Sequence, residues 1–131
     1  MLPLESSMLV EPRIRWNPVP RIFIISETSG GAATEDLEYR VEPGKILKII
    51  SVEVYNEDDE WGKVAVWYAQ DYSASHAIGI FNGVMTPIPN GAGAIINGEW
   101  YVVGKIVAQF FDTSSGDKLK LKFQAFEGDL L

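Results

Sequence analysis

The sequence predicts an all-β protein: an antiparallel β-sandwich over residues 21–131, preceded by an extended arm over residues 1–20. Three observations predict it. First, Lys118-Leu119-Lys120-Leu121-Lys122-Phe123 alternates charge and hydrophobe, which puts Leu119, Leu121 and Phe123 on one face of a strand and three lysines on the other. Such a strand belongs to a sheet with one dry and one solvated side. Second, similar short runs recur upstream between turn residues, giving seven or eight strands and no apolar stripe at helical spacing. Third, Pro3, Pro12, Pro18 and Pro20 remove backbone donors from the first twenty residues and rule out a helix there.

The arm carries Leu2, Leu4, Met8, Leu9, Val10, Ile14, Trp16 and Val19, too much apolar surface for a solvated tail. Such a segment lies either across its own domain or on a neighbouring subunit. Arg21-Ile22-Phe23-Ile24-Ile25 is the first strand expected, and Ser29-Gly30-Gly31-Ala32-Ala33 the first loop. Leu37–Val41 alternates as a strand. Glu42-Pro43-Gly44-Lys45 has the Pro-Gly order of a type II turn. Ile46–Tyr55 is expected to be the longest strand and central, with Ile46, Lys48, Ile50, Val52 and Val54 on one face and Leu47, Ile49, Ser51, Glu53 and Tyr55 on the other. Asn56–Glu60 is a polar loop, Lys63–Tyr68 a strand, and Ala77–Phe81 a short strand ending at an Asn82-Gly83 turn. Pro87, Pro89, Asn90-Gly91, Gly93 and Asn97-Gly98 make residues 86–98 either a long irregular loop or two successive turns. Trp100–Phe111 is expected to form one strand bent at Gly104.

The 131 residues suit one domain with a real core, and 47% hydrophobic residues are normal for one. Cys is absent, which excludes disulfides, thiolate metal sites and a cysteine nucleophile. No apolar run is long enough to cross a bilayer, and no charged n-region precedes an apolar h-region, so neither a membrane span nor a signal peptide is expected. The net charge of −7 argues against a nucleic-acid partner, which needs a basic surface. Residues 31–60 hold nine acids against three bases, so the excess sits in the middle of the chain. Three of the four arginines, Arg13, Arg15 and Arg21, lie at the other extreme, and Arg is the basic residue favoured at interfaces.

No constellation carries catalysis. Glu57-Asp58-Asp59-Glu60 lacks the alternate ligand spacing and the glycine of a calcium loop, and reads as a solvated hairpin loop or a partner for Arg13, Arg15 and Arg21. His76 is the only histidine, follows Asp71 and Ser73, and has no GxSxG elbow or HExxH helix to support it. Gly91-Ala92-Gly93-Ala94 lacks the ending of a phosphate loop. Neither an enzyme nor a cofactor or metal site is therefore expected. The four tryptophans raise a carbohydrate-binding reading, with Trp61 and Trp100, both beside glycine-containing turns, as the stacking residues. Trp16 reads instead as an interface anchor.

Two blocks, Val41-Glu42-Pro43-Gly44-Lys45 with Ile49-Ile50-Ser51-Val52-Glu53-Val54, and Gly116-Asp117-Lys118-Leu119-Lys120-Leu121 with Gly128-Asp129, resemble a β-sandwich unit of tailed-bacteriophage virion proteins. That family's pattern is a Val-Pro-Ala-Gly-Lys turn leading into an apolar strand, then two Gly-Asp turns around an alternating strand. Such units often continue into a further strand, whose place residues 21–25 are expected to fill. The resemblance implies a jelly-roll-like sandwich in a structural virion component, such as a head decoration (cement) protein that trimerises and lays arms across its neighbours. Its partners would then be itself and the major capsid protein or other virion subunits. Its location would be the virion, after production in the host cytoplasm; tail, collar and fibre roles belong to the same class. On this reading Leu9, Ile14 and Trp16 give the arm its affinity, and Arg13, Arg15 and Arg21 its orientation. The carbohydrate-binding module is the alternative.

Overall fold

A computed structural model describes residues 13–58, 61–72, 77–88 and 93–131, with the side chains of all but 61–63, 77–88 and 93–94. These residues form β1 (Ile14–Trp16), β2 (Arg21–Thr28), β3 (Thr34–Arg40), β4 (Lys45–Asn56), β5 (Trp61–Ala69), β6 (Ala77–Ile88), β7 (Gly93–Val102), β8 (Lys105–Phe111) and β9 (Lys118–Leu130). Four antiparallel pairs are nested inside one another: β2 with β9, β3 with β8, β4 with β7 and β5 with β6. One half of the chain thus runs beside the other as a long double ribbon. Further pairing of β4 with β9 and of β5 with β8 rolls that ribbon into two sheets. One sheet has the order β2-β9-β4-β7, with β1 on the same edge of β9 as β2; the other has the order β3-β8-β5-β6. The expected antiparallel sandwich is a jelly roll.

The alternation of β9 is realised as read. Leu119, Leu121, Phe123 and Ala125 are buried between the sheets, while the lysines lie on the other face. Phe123 stacks on Phe23 of the adjacent β2 at 4.8 Å, and Tyr39 of the facing sheet meets both rings at a steep angle. Leu37, Val64, Val66, Ile106, Ala108 and Phe110 close the core from the facing sheet.

The structure corrects three local expectations. Strand β4 is not strictly alternating. A bulge between Ile49 and Ser51 switches faces, so the residues that enter the core cluster are Leu47, Ile49, Val52 and Val54. Trp100–Phe111 is not one bent strand. It is the end of β7 and all of β8, which lie in different sheets, joined at Val103-Gly104. The reason is close backbone approach: a Cβ on Gly104 would lie 2.3–2.6 Å from the Ala69 carbonyl and the Asp71 backbone. Gln70 closes the same corner, its side chain bonding Tyr101 O and Val103 N. Finally, Asn82-Gly83 is no turn. Both residues sit inside β6 opposite Ala65 and Val64, and residues 93–98 belong to β7, because pairing along the full length of β5 and β4 outweighs local turn preference. The turn at Pro43-Gly44 holds, with Gly44 at φ 84° and Lys45 N bonded to Glu42 O.

Loops at one end are stapled by a buried polar network. Ser29 Oγ and Thr113 Oγ1 are 2.7 Å apart, and Asn56 Nδ2 donates to Asp117 Oδ2 at 2.9 Å. On the four-stranded sheet, buried Lys105 donates to Glu38 at 3.0 Å, and Arg40 reaches the same carboxylate at 2.9 Å. Burial raises the Glu38 pKa, but the hydrogen bonds from Lys105 and Arg40 outweigh it and hold the carboxyl below its ordinary value of 4.5. Its stabilisation is therefore present above that value and lost as pH falls through the lowered one. Glu38→Gln should cost about 1–2 kcal/mol at neutral pH, a modest figure because the carboxylate is partly solvated. It should also flatten the acid limb of a stability–pH curve measured by urea unfolding.

Candidate functional site

Strand β1 lies end to end with β2 along β9. Ile14, Arg15 and Trp16 pair with Leu130, Asp129 and Gly128. Asn17 N then bonds Glu127 O at 2.8 Å, and Arg21 pairs with Ala125. Pro18, Val19 and Pro20 thus bulge out opposite Phe126 alone, at a sheet edge where proline costs no ladder bond. Residues 14–16 of the expected arm are thus part of the chain's own sheet. Gly128 explains why they seat there. A Cβ on it would lie 2.7 Å from Ile14 Cγ2 and 2.9 Å from Trp16 Cε3, so the two side chains fill the place a larger residue would take.

Arg15 and Arg21 of this segment lie beside acids of β9. Arg21 lies 3.5 Å from Glu127 and stacks over Phe23 at 4.6 Å. Lys45 pairs with Asp129 through a hydrogen bond that lowers the Asp129 pKa, and the charge of Arg15 adds to that. Glu57 of the acidic loop is taken by Lys120 at 2.6 Å. Residues 42–45 and Gly128-Asp129, which belong to the two blocks of the sequence resemblance, are neighbours. Ile46 pairs with Gly128, and Leu130 N bonds Gly44 O at 2.8 Å.

The outer face of the five-stranded sheet is the surface that stands out. Its cross-strand rows are set by the register: Ile22–Gln124–Ser51–Asn97, then Ile24–Lys122–Glu53–Ile95, then Ser26–Lys120–Tyr55–Gly93. Ile22, Ile24 and Ile95 are 57%, 58% and 61% exposed. Ile22 and Ile24 lie on one side of a charged centre, Lys122 and Glu53, and Ile95 on the other.

Nearer β1 the same face opens into a groove of about 490 Å³ lined by Trp16, Asn17, Pro18, Lys48, Tyr101 and Phe126. The Trp16 and Tyr101 rings are 6.2 Å apart and tilted by 60°. Lys48 lies 6.0 Å over the Phe126 ring and 3.8 Å from Glu99, which accepts from Tyr101 Oη at 2.6 Å. That bond raises the Tyr101 pKa.

Several expected site residues fall elsewhere. Trp100 packs partly buried on the core and covers Gly98, where a Cβ would lie 2.6 Å from the indole. It is therefore no open stacking platform. Trp61 begins β5 opposite Ile88, and its side chain is outside the described residues, as are Leu9, Ser73, His76 and Asp59-Glu60. The groove residues Tyr101, Lys48 and Phe126 were not singled out from sequence. Their signal was strand parity, since each neighbours an inward residue. Among the described residues no group of three or more His, Asp or Glu side chains could hold a metal ion. No helix among them is long and apolar enough to cross a membrane.

No protein-family model matches the chain, and no curated protein is similar to it in sequence. Solved structures match it in fold at low sequence identity. A chain of the cyanophage Pam1 capsid asymmetric unit is 16% identical with a TM-score of 0.42, covering 86% of each chain. The Drosophila NLP core, a structure solved for insight into pentamer formation and histone binding, is 13% identical with a TM-score of 0.38, over 82% of this chain and 97% of that one. The CBM22-1 xylan-binding domain of Paenibacillus barcinonensis Xyn10C is 9% identical with a TM-score of 0.39, over 89% and 85%.

Gly128→Val should displace Ile14 and Trp16. Hydrogen exchange should then show residues 14–16 losing protection while β2 and β4 keep theirs.

Proposed function

We propose that this chain is a structural, non-enzymatic virion component, a capsid decoration (cement) protein that self-associates and docks on a capsid lattice. The observation that carries the reading is the outer face of the five-stranded sheet. Ile22, Ile24, Ile95 and Tyr101 are left open on the face opposite the core cluster of the described residues. The two blocks shared with tailed-bacteriophage virion sandwiches support it, since they adjoin at Lys45 and Asp129. Arg13 O accepts from Leu131 N at 2.9 Å, and on this reading Leu9 and its apolar neighbours in the sequence before Arg13 would meet a neighbouring subunit. Removing residues 1–12 should leave the thermal unfolding midpoint unchanged and abolish docking on particles stripped of this protein, read by co-sedimentation. Undiminished docking by the truncated chain would refute the arm's role.

The second reading is a carbohydrate-binding module. The groove favours it, because Trp16, Tyr101 and Phe126 give apolar ring surface beside Lys48, Glu99 and Asn17 as hydrogen-bonding groups. Under this reading Tyr101→Ala should abolish glycan retention on an array at preserved fold, whereas Trp100→Ala should reduce stability.

A further inference from the structure

We propose that two copies of this chain stack the outer faces of their five-stranded sheets about a twofold axis that runs along the strands between β4 and β9. The inference rests on the self-association reading and gives it a surface and a symmetry. Across that face the strands run β2, β9, β4, β7. Rotation by half a turn about the stated axis lays β9 on the partner's β4 and β2 on the partner's β7, row on matching row.

The residues then meet in complementary pairs. Lys122 faces the partner's Glu53, and Ile24 faces the partner's Ile95. Gln124 meets the partner's Ser51. Lys120 meets the partner's Tyr55, and Lys48 the partner's Phe126, repeating between copies the cation–ring contacts that each copy makes within itself at 6.0 Å. Each pair occurs twice, as an isologous interface requires. The two isoleucine pairs flank the two ion pairs and keep water from them. An axis across the strands through the same row would instead set Lys122 on Lys122 and Glu53 on Glu53, which is repulsive. Stacked sheets pack about 10 Å apart with their strands roughly aligned. Four strands about 4.8 Å apart and about eight residues long offer roughly 500 Å² per copy, so the pair is weak and concentration-dependent unless a lattice holds it.

The test uses the full chain in sedimentation velocity over a wide concentration range. The native chain should shift from monomer to dimer. Lys122→Glu and Glu53→Lys should each weaken that association by about tenfold or more, because each puts like charges across the axis twice. An equimolar mixture of the two variants should restore it, since the acid placed at 122 in one faces the base placed at 53 in the other. Within one copy each change also sets like charges side by side, and mixing cannot relieve that, so the rescue reads only the contact between copies. Thermal unfolding checks that both variants fold, and Ile24→Ser provides an uncharged variant that should also weaken the dimer. A mixture that stays monomeric, or a native chain that never dimerises, overturns the proposal. A monomer that still docks on particles overturns the stack and leaves the decoration reading standing; a dimer that never docks does the reverse.

Discussion

The structure depends on the period-two pattern of β9. Thirteen residues hold β4 on one side and both β1 and β2 on the other, so three strands take their register from one. Its inward Leu119, Leu121, Phe123 and Ala125 supply much of the core, and its outward Lys120, Lys122, Gln124 and Phe126 define the surface face. A slip of one residue would exchange those two sets, which makes the register strongly specified. Truncating Phe123 would open a cavity at the centre of the aromatic cluster, a class of change that costs about 3–5 kcal/mol.

The fold class was legible because alternation and turn chemistry agree over most of the chain. Leu119–Phe123 and the Pro43-Gly44 turn came out as read, and of the strand expected over Leu37–Val41 all but Val41 lies in β3. The misreadings share a cause: each was decided by a neighbour distant in sequence. Ile50 is bulged because β4 must match β9 and β7 at once. Gly104 marks a change of sheet because Ala69 and Asp71 crowd it. Asn82-Gly83 stays in a strand because β5 pairs with it. The candidate surface was less legible still. Ile22 and Ile24 look like core residues of a β-branched run, and only the register shows that Phe23 between them is the buried one. The proline segment had to lie on some surface, and Gly128 provides that surface in the chain itself for Ile14 and Trp16.

Charge is distributed so that local pairs are satisfied on either side of the sandwich. Lys105 with Glu38 and Arg40 does so on one sheet; Lys45 with Asp129 and Lys120 with Glu57 do so on the other. The more exposed of these, Lys45 with Asp129 and Lys120 with Glu57, add little stability. In the proposed stacked pair, Lys122 beside Glu53 would make the centre of the outer face selective in a way that the isoleucines alone would not.

The nesting of strand pairs has a kinetic consequence. Arg21 finds Ala125, and Glu35 finds Phe110, so the ribbon joins residues at opposite ends of the sequence. Such topologies fold slowly, because chain closure must precede most of the favourable packing. During synthesis β2 and β3 emerge before their partners, the isoleucines of β2 and the open edges of both in solvent, until β8 and β9 follow. The proline kinks beside β2 then act as a guard as well as a bend, interrupting an edge that would otherwise recruit the wrong strand.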